Sequence, residues 1–379
     1  MFFLLEWRFV PYSLAGPQEL CETSAMNRVV TCLVMALSFV AHQVKGARRS
    51  TAHDNSTRPF AGGMLWVVRT FPGRYASHAA LQAKTWMRHL RPGRDVVLLA
   101  TQRSGAAAAA KARARAREKT GLAAALVSAP VCDEDNHGVG LCCQELAALR
   151  LAASWDEFEW VFVIDDDVYA RPSVVWDVAR SFRDRAGNAT GSPGAIAVGT
   201  VGCAAHGISG FCGGGGYLLS RGAVRHFSSE RGYMDNCRLT GYCDITTAWL
   251  LREQGRVPVA TDARFHPWGI TPKTAAARAA RTVSPDVLDG LHGQLAKIRG
   301  TTGTEATLEE LCGVVEWIAE RKVATLHYYG GTWIDDQIRR GGAAKMRFLD
   351  NLFDAALGGG ERRRWRRTRE AGPHATYPN

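Results

Sequence analysis

Glu159-Trp-Val-Phe-Val-Ile-Asp-Asp-Asp-Val-Tyr169 is the stretch on which the reading of this chain turns. Its first half is a run of β-branched and aromatic residues, the composition of a strand buried on both faces. The run stops in three consecutive carboxylates, Asp165, Asp166 and Asp167. In doubly wound α/β sheets, ligands collect at the carboxyl ends of strands, so this strand delivers acids to the place where a site forms. Strand alternation puts Asp165 and Asp167 on one side and Asp166 on the other. Unpaired, three adjacent carboxylates repel, and a divalent cation reverses that penalty. Oxygen donors select a hard ion, Mn²⁺ or Mg²⁺, which in turn binds a diphosphate and neutralises its charge as it leaves. The plainer alternative is an acidic turn capping a helix begun by Arg171-Pro-Ser173. The strand in front and the Val-Tyr behind favour the cation.

Upstream, the pattern alternates between strand and helix. Met64-Leu-Trp-Val-Val-Arg-Thr70 reads as a first buried strand and Asp95-Val-Val-Leu-Leu-Ala100 as a second. Between them Ser77 to Leu90 has helical periodicity, with Ser77 a candidate cap. Residues 105–119 form an Ala/Arg/Lys run with strong helix preference and no assigned function. A helix is expected from about Cys142 to Ser154. Alternation of this kind indicates a doubly wound sheet with helices on both faces.

Downstream lie three further segments. Gly210-Phe-Cys-Gly-Gly-Gly-Gly-Tyr-Leu-Leu-Ser220 lacks the Gly-Lys-Ser/Thr of a phosphate-cradling P-loop. Its glycines permit positive φ and close approach, either as a flexible loop or as one wall of a sugar pocket. Cys237-Arg-Leu-Thr-Gly-Tyr-Cys-Asp-Ile245 places Asp244 at the start of a helix, where it is an N-cap or a general base for an acceptor hydroxyl. Arg264-Phe-His-Pro-Trp-Gly269 and Ala324-Thr-Leu-His-Tyr-Tyr329 each offer a histidine, His266 and His327, that could complete a metal shell. Taken singly, each is more often a hydrogen-bonded structural histidine.

Bulk composition narrows the classes. The 379 residues can hold one large or two small domains, and 46% apolar with 22% charged residues excludes both a wholly disordered chain and a multi-span membrane protein. Much of the net charge of +11 sits in two runs, Lys111–Lys119 and Arg362–Arg369. They read as solvated surface, without any nucleic-acid signature, so no nucleic-acid partner is expected. The 10 cysteines form no C-x-x-C pair, which disfavours a zinc ribbon and fits disulfides in an oxidising compartment. Cys237 with Cys243, and Cys203 with Cys212, are close enough in sequence to bridge, although spacing does not fix connectivity. Sequons at Asn55 and Asn188 agree with a secretory route. So does the apolar run after Arg28, Val29 to Ala41, which is a cleaved signal or, extended to residue 44, a signal-anchor. Met26 just before it is a second possible start. The resulting organisation is an N-terminal extension over 1–45, a stem or linker over 46–62, a catalytic domain over 63–357 and a basic tail, expected to be disordered, over 358–379.

These segments, in this order, resemble the Fringe-like β1,3-glycosyltransferase group, and within it the core 1 β1,3-galactosyltransferases. The resemblance is carried by Val67-Val-Arg-Thr70 with Lys84-Thr-Trp86, Trp160 to Tyr169, Gly213 to Ser220, Phe265-His-Pro-Trp268 and Thr325-Leu-His-Tyr-Tyr329, spanning roughly residues 63 to 330. It implies a GT-A-type fold: a doubly wound mixed sheet flanked by helices in a single catalytic domain. It implies a UDP-sugar donor and a Mn²⁺ (or Mg²⁺) ion held through Asp167 most directly, with Asp165 nearer the ribose or the metal's waters. His266 assists the metal in this reading, with His327 as the alternative, and Asp244 is the base. Thr70, Asp165, Asp166, Gly214, Gly215, Gly216 and Trp268 line the donor and acceptor sites. Where the family often has paired acids, this chain reads Cys243-Asp244, a departure that bears on the base.

The implied activity is inverting transfer of a hexose, galactose first, from a UDP-sugar to a hydroxyl of a glycan or glycoprotein, forming a β1,3 linkage. Fringe-type N-acetylglucosaminyl or glucosyl transfer is the nearest alternative. A catalytically silent glycan-binding or chaperone protein on the same fold would be expected to lose the aspartate motif, which this chain keeps. The implied location is the Golgi or ER membrane as a single-pass type II protein with a luminal catalytic domain, anchored through the N-terminal segment if that is uncleaved.

Overall fold

The computed structural model of the protein describes residues 62–70, 76–102, 107, 110–111, 114, 123–129, 138–185, 194–228, 232–268, 289–294, 308–327 and 342–356. The apolar run 29–44, both sequons, most of the 105–119 run, Cys132, Tyr328, Tyr329 and the basic tail lie outside the described residues. Among the described residues no helix is long and apolar enough to cross a membrane.

The chain runs β1 (Gly63–Arg69), α1 (Ala76–Gln82), β2 (Asp95–Gln102), β3 (Ala123–Ala129), α2 (Val139–Ala153), β4 (Phe158–Asp165), β5 (Val168–Ala170) and α3 (Pro172–Arg185). Then follow β6 (Ala197–Gly199), β7 (Val201–Ala205), β8 (Ile208–Phe211), β9 (Tyr217–Ser220), α4 (Arg221–Val224), α5 (Tyr233–Thr240) and α6 (Cys243–Glu253). The last described elements are β10 (Val259–Thr261), β11 (Phe265–His266), α7 (Leu308–Arg321), β12 (Thr325–His327) and α8 (Gly342–Ala356).

The main sheet has the order β10-β6-β9-β4-β1-β2-β3. Strands β4, β1, β2 and β3 are parallel, β9 is antiparallel to both β4 and β6, and β10 is parallel to β6. The mixed α/β architecture expected from the alternating pattern is therefore present. Pleating divides β1 between two cores, as period-2 alternation requires. Met64, Trp66 and Val68 pack with α3, α7 and α8, whereas Leu65 and Val67 pack with α2, α5 and α6. Because both faces are covered, the central strands are continuous apolar runs, which is why they are legible.

A small second sheet, β11-β12-β5, lies beside the carboxyl end of β4. It is tied to α8, where the Tyr169 hydroxyl donates to Asp350 Oδ1 at 2.9 Å and Arg171 pairs with Asp354 at 2.8 Å. The β7–β8 hairpin turns through His206 and Gly207, both at positive φ, and the Cys203–Cys212 disulfide closes it.

Four expectations need correction. The helix over Ser77–Leu90 is broken: α1 ends at Gln82 and a separate 3-10 turn covers Trp86–His89. Ser77 lies inside the first turn of α1 rather than capping it. Cys237 bridges Cys142, across from α5 to α2, and Cys243 is a buried free thiol. Asp244 is one residue inside α6, whose N-cap is Tyr242, so it is not the cap.

Candidate active site

The parallel pair β1–β4 places Arg69 directly across from Asp165, each the last residue of its strand. The strand stops there, and Asp166 and Asp167 form a turn before β5 begins. The amide of Asp166 donates to the Arg69 carbonyl, and Gln82 Nε2 donates to the carbonyls of Asp165 (2.9 Å) and Val168 (3.1 Å). Gln82 thus brackets the aspartate turn from outside, and ending α1 at this residue is what lets its side chain reach there. The Asp166 side chain is buried, while those of Asp165 and Asp167 are partly exposed.

Asp165 and Asp167 bear on each other and on one histidine. His327 Nε2 lies 3.3 Å from Asp167 Oδ2. Burial pushes the Asp167 carboxyl up, but the bond and charge of His327 outweigh it and leave Asp167 below its ordinary value. Burial likewise works against a charged His327, and the Asp167 contact overrides it and raises the imidazole. Asp165 stays above its ordinary value, because burial exceeds the opposing charge of Arg69 at 2.7 Å and neighbouring Asp167 adds to the rise.

The other histidine is held elsewhere. In the parallel pair β11–β12, His266 sits across from Leu326, so His266 and His327 project to opposite sides of the small sheet. His266 Nδ1 bonds the Trp268 carbonyl, its ring stands edge-on to Trp317 at 4.7 Å, and burial lowers its basicity. Trp268 is exposed, at 60%. Thr70 is buried at the end of β1, with its N–H on the Ala100 carbonyl.

The four glycines are where neighbouring elements touch. A Cβ on Gly213 would stand 2.7 Å from the Asp244 carboxyl, and on Gly214 2.6 Å from the Pro267 carbonyl and 3.3 Å from the His327 ring. On Gly215 it would meet Phe265, and Gly216, at φ +69°, would bring it 2.8 Å from the Val163 carbonyl. The Gly213 N–H donates to Asp244 Oδ2 at 2.5 Å. Burial pushes the Asp244 carboxyl up to about 6, against the pull of Arg69 and of this N–H. The loop therefore joins Asp244 on α6 to His327 and Asp167 through adjacent glycines.

Beneath it lies a buried polar core that sequence reasoning passed over. Arg69 pairs with Glu145 of α2 at 2.5 Å and touches the Cys243 thiol, and Tyr217, Tyr233 and Thr247 donate to the other oxygen of Glu145. Only the charge of Arg69 at a strand end signalled this. Glu145 reads as an ordinary helical acid.

Among the described residues no three His, Cys, Asp or Glu side chains form a metal-binding group. Asp167 Oδ1 is nevertheless buried without a hydrogen-bond partner, and a buried carboxylate oxygen left so is costly unless a cation meets it. The carboxylate oxygens suit Mn²⁺ or Mg²⁺ chemically, and an imidazole beside them favours Mn²⁺.

No protein-family model and no curated protein matches the chain. Solved structures similar to it include the galactosyltransferase LgtC in complex with donor and acceptor sugar analogs, at 16% identity and TM-score 0.43, covering 79% of this chain and 99% of that one. An active-site mutant of LgtC has TM-score 0.40 at 16% identity, with the same coverage of 79% and 99%. Mouse xyloside xylosyltransferase 1 in its apo form has TM-score 0.33 at 13% identity, covering 56% of this chain and 87% of that one.

Proposed function

We propose that this protein is an inverting glycosyltransferase that moves a hexose, galactose in the first instance, from a UDP-sugar to a hydroxyl of a glycan or glycoprotein in β1,3 linkage. The carrying observation is the continuity of the cluster: Asp244 on Gly213, Gly214 against His327, and His327 on Asp167. A basic carboxylate and a pair of acids suited to a cation thus share one loop at the carboxyl end of β4.

In this reading Asp244 takes the proton of the acceptor hydroxyl as that oxygen bonds the anomeric carbon. The bond from carbon to the diphosphate oxygen breaks on the opposite face, and its electron pair leaves with UDP. A carboxyl near 6 is largely ionised at neutral pH and still basic enough to accept the proton. Asp167 and Asp165 would hold a divalent cation with His327 beside them, and that ion would supply charge neutralisation for the departing diphosphate. His327 takes the role expected of His266, because it is the histidine on Asp167. Thr70, Asp166, Gly214, Gly215, Gly216 and Trp268 are assigned to the walls of the donor and acceptor sites. Disulfides such as Cys142–Cys237 and Cys203–Cys212 support folding in the secretory pathway, in the Golgi or ER, with anchorage through 29–44 as part of the proposal.

The test is release of UDP by the purified protein from a panel of UDP-sugars with Mn²⁺, with and without acceptor glycosides. Acceptor-dependent release with one donor is expected, and Asp167→Ala should abolish it while leaving the melting temperature close to wild type. Wild-type rates in Asp167→Ala would overturn the assignment.

A further inference from the structure

A guanidinium taken out of water needs acidic partners on every side it presents. Arg69 is wholly buried and meets groups from three different elements. Its Nε lies 2.7 Å from Asp165 Oδ1 on β4, and its Nη1 lies 2.5 Å from Glu145 Oε2 on α2 and also reaches the Cys243 thiol on α6. Glu145 is in turn immobilised. Its other oxygen accepts from Tyr217 on β9, from Tyr233 on α5 at 3.0 Å, and from Thr247 at 2.5 Å. Thr247 is one turn along α6 from Asp244, so the web that fixes Glu145 also grips the helix bearing the proposed base.

The geometry points to Arg69 as the positioning residue of the site: one fixed guanidinium that holds Asp165 directly and touches Cys243, the residue before Asp244, with Glu145 as its anchor. This deepens the glycosyltransferase reading and rests on it for the role of Asp244, but its test needs no turnover. The charged groups bearing on Asp244 are Arg69 and Glu145, and they act in opposite senses. The Cys243 thiol beside them is pushed up by burial and stays protonated.

The experiment is NMR titration of the full-length protein labelled with ¹³C at aspartate carboxyls, the Asp244 signal being assigned by its loss in Asp244→Asn. Arg69→Met should move the Asp244 midpoint up by on the order of one pH unit, and Arg69→Lys, which keeps the charge, should move it by a few tenths at most. Glu145→Gln keeps the shape and removes the opposing charge, so it should move the midpoint down. A role in packing alone would lower the melting temperature of all three without shifts of opposite sign. If Arg69→Met does not fold, the other two decide: a midpoint that stays put or rises in Glu145→Gln overturns the inference, as does a rise of a full unit in Arg69→Lys. In turnover, Arg69→Lys should raise the donor KM about tenfold with little change in the pH limb of kcat. Absence of turnover in the wild type counts against the transfer reading and leaves the NMR result standing.

Discussion

His327 Nε2 faces Asp167 Oδ2 at 3.3 Å, while His266, on the neighbouring strand, faces away toward Trp317. The two histidines are one register step apart, and that step puts one against Asp167 and the other against Trp317. His327→Ala should therefore weaken apparent Mn²⁺ affinity 10- to 100-fold. His266→Ala should change it little and lower the melting temperature instead. Mn²⁺ titration of the two variants, followed by calorimetry, separates them.

As the proposed base, Asp244 should give turnover an acid limb. Protonated below about pH 6, it cannot accept the acceptor's proton, so kcat/KM should fall about tenfold for each pH unit below that point. Because the folded-state value lies above the ordinary one, the folded protein binds the extra proton in between. Stability is then lost as pH rises through this window, and the full penalty is present above 6. Asp244→Asn should consequently be inactive yet melt higher than wild type at pH 8, as scanning calorimetry across pH would show.

Adjacent glycines should fail differently. Gly213→Ala pushes a methyl against the Asp244 carboxyl and should lower kcat on the order of 100-fold while the protein stays folded. Gly216→Ala meets the Val163 carbonyl at positive φ and should cost about 1–3 kcal/mol of stability. Paired kinetic and denaturant measurements on both variants check this.

The Cys142–Cys237 bridge spans 95 residues, for which the chain-entropy account gives about 4–5 kcal/mol. Cys237→Ser should lose a large part of that in denaturant unfolding. Cys243→Ser, which breaks no disulfide, should lose much less.

Strands β1, β2 and β4 were legible because burial on both faces writes a continuous apolar run. Strand β3, Ala123–Ala129, was not: its alanine-rich sequence favours helix, and only pairing with β2 makes it a strand. The aspartate triplet, the glycine loop and Asp244 were each visible as local motifs, but their union depends on contacts across more than a hundred residues, such as Gly214 with His327. Which histidine lies against Asp167 depends on strand register, which neither segment encodes alone. Gln82 and Glu145 escaped notice, and Arg69 was read only as part of a strand, because a buried polar side chain looks in sequence like any exposed one.

On α2, Cys142 and Glu145 are three residues apart and so share a helix face, one bound covalently to α5 and the other bound to Arg69. Reducing the Cys142–Cys237 bond would remove the covalent tether of this face to α5. That bond thus sits one helical turn from Glu145, the acid that meets Arg69 and, through it, Asp165 at the end of β4.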